Sequence, residues 1–76
     1  MRLASNIVQP LQWLIVENAA PHREDLSQQY IELDGKSYPC FVDGSALVFR
    51  VPQKFQRKTY RVAVKGRFVG SVTIKE

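Results

Sequence analysis

Residues 59–74 read TYRVAVKGRFVGSVTI, and this stretch decides the fold. Apolar side chains recur at its even positions, namely Tyr60, Val62, Val64, Phe68, Val72 and Ile74. A period of two is typical of a β-strand with one face in a core and the other in water. Lys65-Gly66 indicates a turn, so the stretch predicts an antiparallel hairpin. We expect a three-residue loop over residues 65–67, because that loop would keep Phe68 on the apolar face.

Two Asp-Gly pairs mark further hairpins upstream, at residues 34–35 and 43–44. Glycine supplies the positive φ that such turns need. Strand-like runs lie between them, and Pro39 requires its strand to be at an edge or to carry a bulge. The predicted fold is mainly β (α+β): a five- or six-stranded antiparallel sheet or small partly open barrel, with one short helix near residues 21–29.

The length of 76 residues predicts a single small domain over residues 1–76. Cys40 is the only cysteine, so no disulfide forms within the chain, and an unpaired thiol favours a cytoplasmic location. The longest apolar run, residues 13–16, is far too short to cross a membrane, so we expect no membrane partner. A domain this small has a limited core, which favours association with a partner or with a second copy.

Charge is distributed unevenly along the chain. Residues 1–43 contain three basic and six acidic residues, whereas residues 44–76 contain eight basic residues and one acidic residue. Basic side chains on a loop and on the wet face of the last hairpin would form one patch if the fold brought them together. The predicted binding residues of that patch are Arg50, Lys54, Phe55, Arg57, Lys58, Arg61, Lys65 and Arg67.

A basic patch of this kind is typical of proteins that neutralise a phosphate backbone. Phe55 in the loop would stack on an unpaired base. The first hypothesis is therefore a non-enzymatic module that binds nucleic acid, either DNA or RNA. Basic residues on the wet face of a sheet also discourage aggregation, so a merely solvated basic face stays open as an interpretation.

Two alternatives involve protein partners. The same loop would dock on an acidic protein surface in an adaptor or inhibitor, or the chain would be a homo-oligomeric structural component. The short length and the basic second half resemble those of small accessory proteins of phages and other mobile elements in general, a resemblance that assigns no site.

The strand at residues 11–16 is apolar on both sides, which favours burial. If it lay at an edge instead, Leu11, Trp13 and Ile15 would form a possible interface, since tryptophan is enriched at protein interfaces.

No residue pattern predicts catalysis. His22 is the only histidine and has no nucleophile at a recognised spacing. Cys40 reads as a small buried residue, and Asp34 and Asp43 are explained by the turns that they begin. We expect no enzymatic activity, no catalytic residue, no metal and no cofactor.

Overall fold

The computed structural model describes residues 1–20 and 28–76, which form a mainly β domain. Eight strands follow one another along the chain: β1 (Arg2–Leu3), β2 (Ile7–Val8), β3 (Trp13–Glu17), β4 (Gln29–Leu33), β5 (Lys36–Asp43), β6 (Ala46–Arg50), β7 (Thr59–Val64) and β8 (Arg67–Ile74). Their order across the sheet is β1-β3-β6-β5-β4-β7-β8-β2. All neighbours are antiparallel except β2 and β8, which are parallel.

The strand count of the sequence prediction needs correction, because the described residues form eight strands and not five or six. The two additional strands, β1 and β2, have two residues each and lie in the first ten residues, where a strand is too short to show a period. The predicted helix falls mostly on residues 21–27, which are outside the described residues, and its last residue, Gln29, begins strand β4. No helix in the described part is long and apolar enough to cross a membrane.

Three hairpins of the described residues close with two-residue turns, at residues 34–35, 44–45 and 65–66, and two of these turns have positive φ at both central residues. Asp34 and Gly35 have φ of 52° and 83°, and Lys65 and Gly66 have φ of 52° and 78°. Positive φ at both central residues matches the right-handed twist of the strands on either side. The Asp34-Gly35 turn is as predicted, but the three-residue loop predicted over residues 65–67 is wrong, because Val64 pairs directly with Arg67.

A bulge in β8 reconciles this tight turn with a buried face. Val62 pairs with Gly70, whereas the next residue, Ala63, pairs with Phe68, so Val69 is the extra residue. Phe68 consequently points outward, contrary to the prediction that placed it in the core. The other even-numbered apolar residues of the hairpin are buried, as predicted.

Strand β5 is the corner around which the sheet curls. Its first part, through Cys40, pairs with β4, and residues Phe41–Asp43 pair with β6. Pro39 lies in the part that has β4 alone as a neighbour, which is the local edge that the sequence predicted. The curl also brings β1 against β8, where a Cβ atom on Gly70 would lie 3.1 Å from Leu3 Cδ1.

The core lies inside this curl. Inward-facing side chains of β3, β4, β6, β7 and β8 pack together, and those with the largest volume that are fully buried are Leu14, Ile31, Leu47, Ile74, Val16, Val51, Val62 and Val72. Aromatic rings close one end of the core: Tyr38, Phe49, Phe55 and Tyr60. Two outer faces remain, one on β3-β6-β5 and one on β4-β7-β8.

Candidate functional site

The structure does not bring the predicted basic patch together. Three of the basic residues, Lys54, Arg57 and Lys58, lie in the loop before Thr59. Lys65 and Arg67 lie in and after the turn that follows Val64, so the six residues of β7 separate the two groups by about 20 Å. Two of the loop cations are also paired. Arg57 Nη2 lies 2.6 Å from Glu76 Oε1, and Lys58 Nζ lies 2.7 Å from Asp34 Oδ2.

The remaining predicted cations are distributed over several elements. Arg50 is on β6, where its Nε donates to the carbonyl oxygen of Leu11 at 3.0 Å. Lys54 is exposed in the loop before β7, and Lys65 and Arg67 are exposed at the opposite end of that strand. Arg61 is exposed on the outer face of β7. Lys58 and Arg61 therefore meet at Asp34, whereas the other predicted cations are distributed over β6, the loop before β7 and the turn after it.

Phe55 is not an exposed stacking residue. Only 8% of its surface is accessible, and its ring lies 5.2 Å from Tyr38, 5.9 Å from Phe49 and 5.6 Å from Tyr60, measured between centroids. Arg57 caps the loop that carries it by donating to the carbonyl oxygens of Gln53 and Phe55. The loop therefore places the Phe55 side chain in the core, where it packs against the other aromatic rings.

A slot lies on the outer face of β4, β7 and β8. Glu32, Ala63 and Phe68 are directly opposite one another on the three strands. The small side chain of Ala63 forms the floor, and the longer side chains of Glu32 and Phe68 form the walls. The slot has a volume of about 470 Å³ and is bounded by Asp34, Gly35, Arg61 and Gly66.

The walls of the slot carry three kinds of chemical group. The Phe68 ring is 55% exposed and has the Arg61 guanidinium 4.8 Å from its centroid. No carboxylate among the described residues lies within ion-pair distance of that guanidinium. Glu32 Oε1 accepts a hydrogen bond from the Gly66 amide at 3.1 Å, which leaves the carboxylate with further acceptor capacity. The Ala63 floor is therefore surrounded by an apolar ring from Phe68, a hydrogen-bond donor from Arg61 and a hydrogen-bond acceptor from Glu32.

Asp34 holds the end of the slot together. Its Oδ1 accepts from the Arg61 amide at 2.8 Å, and its own amide donates to the Arg61 carbonyl oxygen at 2.9 Å. The hydrogen bond from Lys58, followed by that from Arg61, lowers the pKa of Asp34, and the same contact raises the pKa of Lys58. Asp34 is therefore ionised at neutral pH and positions the backbone of Arg61.

A second, apolar surface covers the outer face of β3-β6-β5. Trp13 is 46% exposed and Phe41 67% exposed, and their rings meet edge to face at 6.4 Å. Val48 lies between them on β6, and Ile15, which is half-buried, lies opposite Val48 on β3. Leu11 is exposed in the turn before β3. The three residues predicted as a possible interface thus border one apolar surface, and Trp13 is on the part of β3 that β1 does not cover.

The sequence reasoning missed Glu32, Ala63 and Phe68. The signal that would have found them is Gly70, since a glycine inside a strand pattern indicates a bulge, and a bulge allows Phe68 to face outward. Among residues 1–20 and 28–76, no three histidine, cysteine, aspartate or glutamate side chains are close enough to hold a metal ion. The burial of Cys40 raises the pKa of its thiol, which makes it a poor nucleophile.

Comparison with known proteins gives a structural likeness. No family model matches the sequence, and no curated protein matches it. Among solved structures, the fold is similar to part of SGBP-B from the mixed-linkage glucan utilization locus of Bacteroides ovatus, a structure in complex with a mixed-linkage heptasaccharide. The TM-score is 0.60 at 16% identity, over 93% of this chain and 20% of that one. The chain thus spans about a fifth of that protein and shares its local fold.

The partner prediction from the sequence is corrected by these findings. The structural neighbour is a protein bound to an oligosaccharide, and neither nucleic acid nor an acidic protein is its ligand in that complex. The ion pairs of Arg57 and Lys58 and the burial of Phe55 engage three of the eight predicted binding residues within the fold itself. The phage-like resemblance has no support from the comparison either.

Proposed function

We propose that this domain is a non-catalytic carbohydrate-binding module and that the slot over Ala63 binds the saccharide. A pyranose ring has a face of C–H groups and a rim of hydroxyls. The exposed Phe68 ring suits the C–H face. The Arg61 guanidinium donates to hydroxyl oxygens, and the Glu32 carboxylate accepts from hydroxyl groups. The observation that carries the proposal is the aligned row of Glu32, Ala63 and Phe68, with Arg61 beside it.

The two carboxylates of the slot favour binding over hydrolysis. Cleavage of a glycosidic bond uses one protonated carboxylic acid and one carboxylate. Asp34 is kept ionised by Lys58, and one oxygen of Glu32 accepts from the Gly66 amide. Asp34 is therefore not arranged as a proton donor, and the proposed role of the slot is to hold a sugar without breaking it.

The size of the slot sets the expected affinity. It accommodates about one sugar unit, with roughly a dozen non-hydrogen atoms, and ordinary ligands gain about 0.3 kcal/mol per atom. The free energy of binding is then about −4 kcal/mol, which corresponds to a dissociation constant near 1 mM. The binding assay must therefore detect weak complexes.

Affinity electrophoresis through gels that contain mixed-linkage β-glucan is suited to this range. Wild-type protein is expected to be retarded, and Phe68→Ala and Ala63→Leu are expected to lose the retardation, because one removes the wall and the other fills the floor. Phe41→Ala is the matched control in a titration with a short oligosaccharide, where two slots on one particle give no gain, since it removes a similarly exposed ring from the other face. In a titration with a mixed-linkage heptasaccharide, the NMR signal of the Gly66 amide should shift.

Two results would contradict the proposal. One is the absence of retardation of wild-type protein by mixed-linkage glucan, cellulose derivatives, xylan and mannan alike. The other is retardation that Phe41→Ala abolishes and Phe68→Ala preserves, which would move saccharide binding to the apolar face.

A further inference from the structure

We infer that the apolar face of β3-β6-β5 is a self-association surface whose occupant is the same face of a second copy. The row across its centre consists of Ile15, Val48 and Phe41, which are directly opposite one another, and the Trp13 ring leans toward Phe41 over this row. Soluble monomers rarely expose a continuous apolar surface of this kind without a partner. No described element covers this row.

The centre of this face has little to offer a polar ligand. Its side chains are aliphatic and aromatic, so they supply no hydrogen-bond acceptors and only the indole N–H as a donor. An apolar partner surface matches them, and aromatic residues such as Trp13 and Phe41 are those that contribute most to protein interfaces. This composition separates the face from the slot over Ala63, where charged groups surround one ring.

The face has a positive charge at one end and a negative charge at the other, which favours a second copy of the same face as the partner. Arg50 and Asp43 lie in the rows on opposite sides of the central row. Arg50 is opposite Trp13 in one of these rows, and Asp43 is opposite Ala46 in the other. Arg50 uses its Nε to bind the Leu11 carbonyl, which leaves its two terminal nitrogens available. Within residues 1–20 and 28–76, the Asp43 carboxylate has no ion-pair or hydrogen-bond partner.

A two-fold axis along the central row exchanges these two ends. Arg50 of one copy then faces the small side chain of Ala46 in the other copy and lies beside its Asp43. Both contacts occur twice, because the same patch is used on each copy. The apolar rows meet face to face, so the surface is complementary to itself in the placement of its apolar centre and of the Arg50 and Asp43 charges.

This arrangement leaves the slot over Ala63 open, because the slot lies on the outer face of β4-β7-β8. A dimer therefore carries two separate slots. If the proposed saccharide binding holds, two weak sites on one particle would bind a polymer more tightly than either site alone. The self-association itself needs no saccharide and is tested without one.

Sedimentation equilibrium and light scattering measure the association directly. Wild-type protein is expected to reach twice the chain mass of 8.7 kDa as its concentration rises. Trp13 is the only tryptophan, so the quenching of its fluorescence by acrylamide should fall over the same concentration range. Phe41→Ser should weaken the dimer at least about tenfold, which corresponds to about 1.4 kcal/mol, since the variant removes a central aromatic contact at two symmetric positions. Phe68→Ser, which changes an exposed ring on the other face, should leave it unchanged.

A charge exchange tests the pairing itself. Arg50→Glu and Asp43→Lys should each weaken the dimer at least about tenfold, because each places like charges together at two symmetric positions. The double variant should recover most of the wild-type association. Circular dichroism confirms that each variant is folded, and the exposed position of both residues makes this the expected result.

The inference is overturned if wild-type protein remains a monomer at millimolar concentration. It is also overturned if a dimer forms that Phe41→Ser and both single charge reversals leave intact, or if the double variant is weaker than either single one. None of these results bears on the binding of a saccharide to a single slot, which the titration with the heptasaccharide measures separately.

Discussion

Phe55→Ala distinguishes a core role for the loop aromatic from a role in stacking on a ligand. The side chain is buried and its ring contacts those of Tyr38, Phe49 and Tyr60. Truncation of a buried phenylalanine lowers the free energy of unfolding by about 3–5 kcal/mol, because the removed surface is lost from the core and a cavity remains. A single core in a domain of this size supplies only about 3–5 kcal/mol in total. The variant is therefore expected to be largely unfolded at 25 °C.

Urea denaturation followed by circular dichroism measures this loss. With a slope of about 1 kcal/mol per molar urea, a loss of about 3 kcal/mol moves the midpoint by about 3 M. Phe55→Leu keeps most of the volume and should cost only about 1.5 kcal/mol, which leaves a measurable transition. Phe68→Ala is the matched control and should change stability by less than about 0.5 kcal/mol, because its ring is exposed. A loss below about 1 kcal/mol for Phe55→Ala would refute the reasoning.

Three further predictions concern single positions. The lowered pKa of Asp34 means that its ionised form stabilises the fold above the ordinary carboxyl pKa of 3.8 and that this contribution is lost as the pH falls through the lower, folded-state value. Asp34→Asn should therefore flatten the fall of the melting temperature on the acid side of 3.8, and an unchanged acid profile would contradict this. Cys40 should react with a thiol reagent at least about tenfold more slowly in native protein than in urea, because it is buried; equal rates would show it to be accessible. Gly66→Ala should lower the free energy of unfolding in urea by about 1–2 kcal/mol, because φ is 78° and no atom obstructs the new methyl group; a loss as large as that of a core truncation would mean that the turn has another role.

The alternation of residues 59–74 was enough to predict which face of the last hairpin is buried, apart from Phe68. That exception depends on the bulge at Val69, which shifts the pairing by one residue after a two-residue turn. The two-residue turn and the one-residue bulge together leave residues 70–74 in the same register as a three-residue turn would. The alternation of apolar residues therefore does not distinguish between the two arrangements. The slot could not be predicted for the same reason, since it exists only when Phe68 faces outward beside Ala63.

The sequence by itself determined what depends on near neighbours: a mainly β chain, the Asp-Gly hairpin at residues 34–35 and, apart from Phe68, the buried face of the last hairpin. The tertiary structure decided which distant groups meet. Lys58 is held by Asp34, 24 positions earlier in the chain, and Phe55 turns inward to three rings from other elements. The physical reason is that turns and alternation arise from local backbone geometry, whereas ion pairs, ring clusters and slots depend on how the sheet curls.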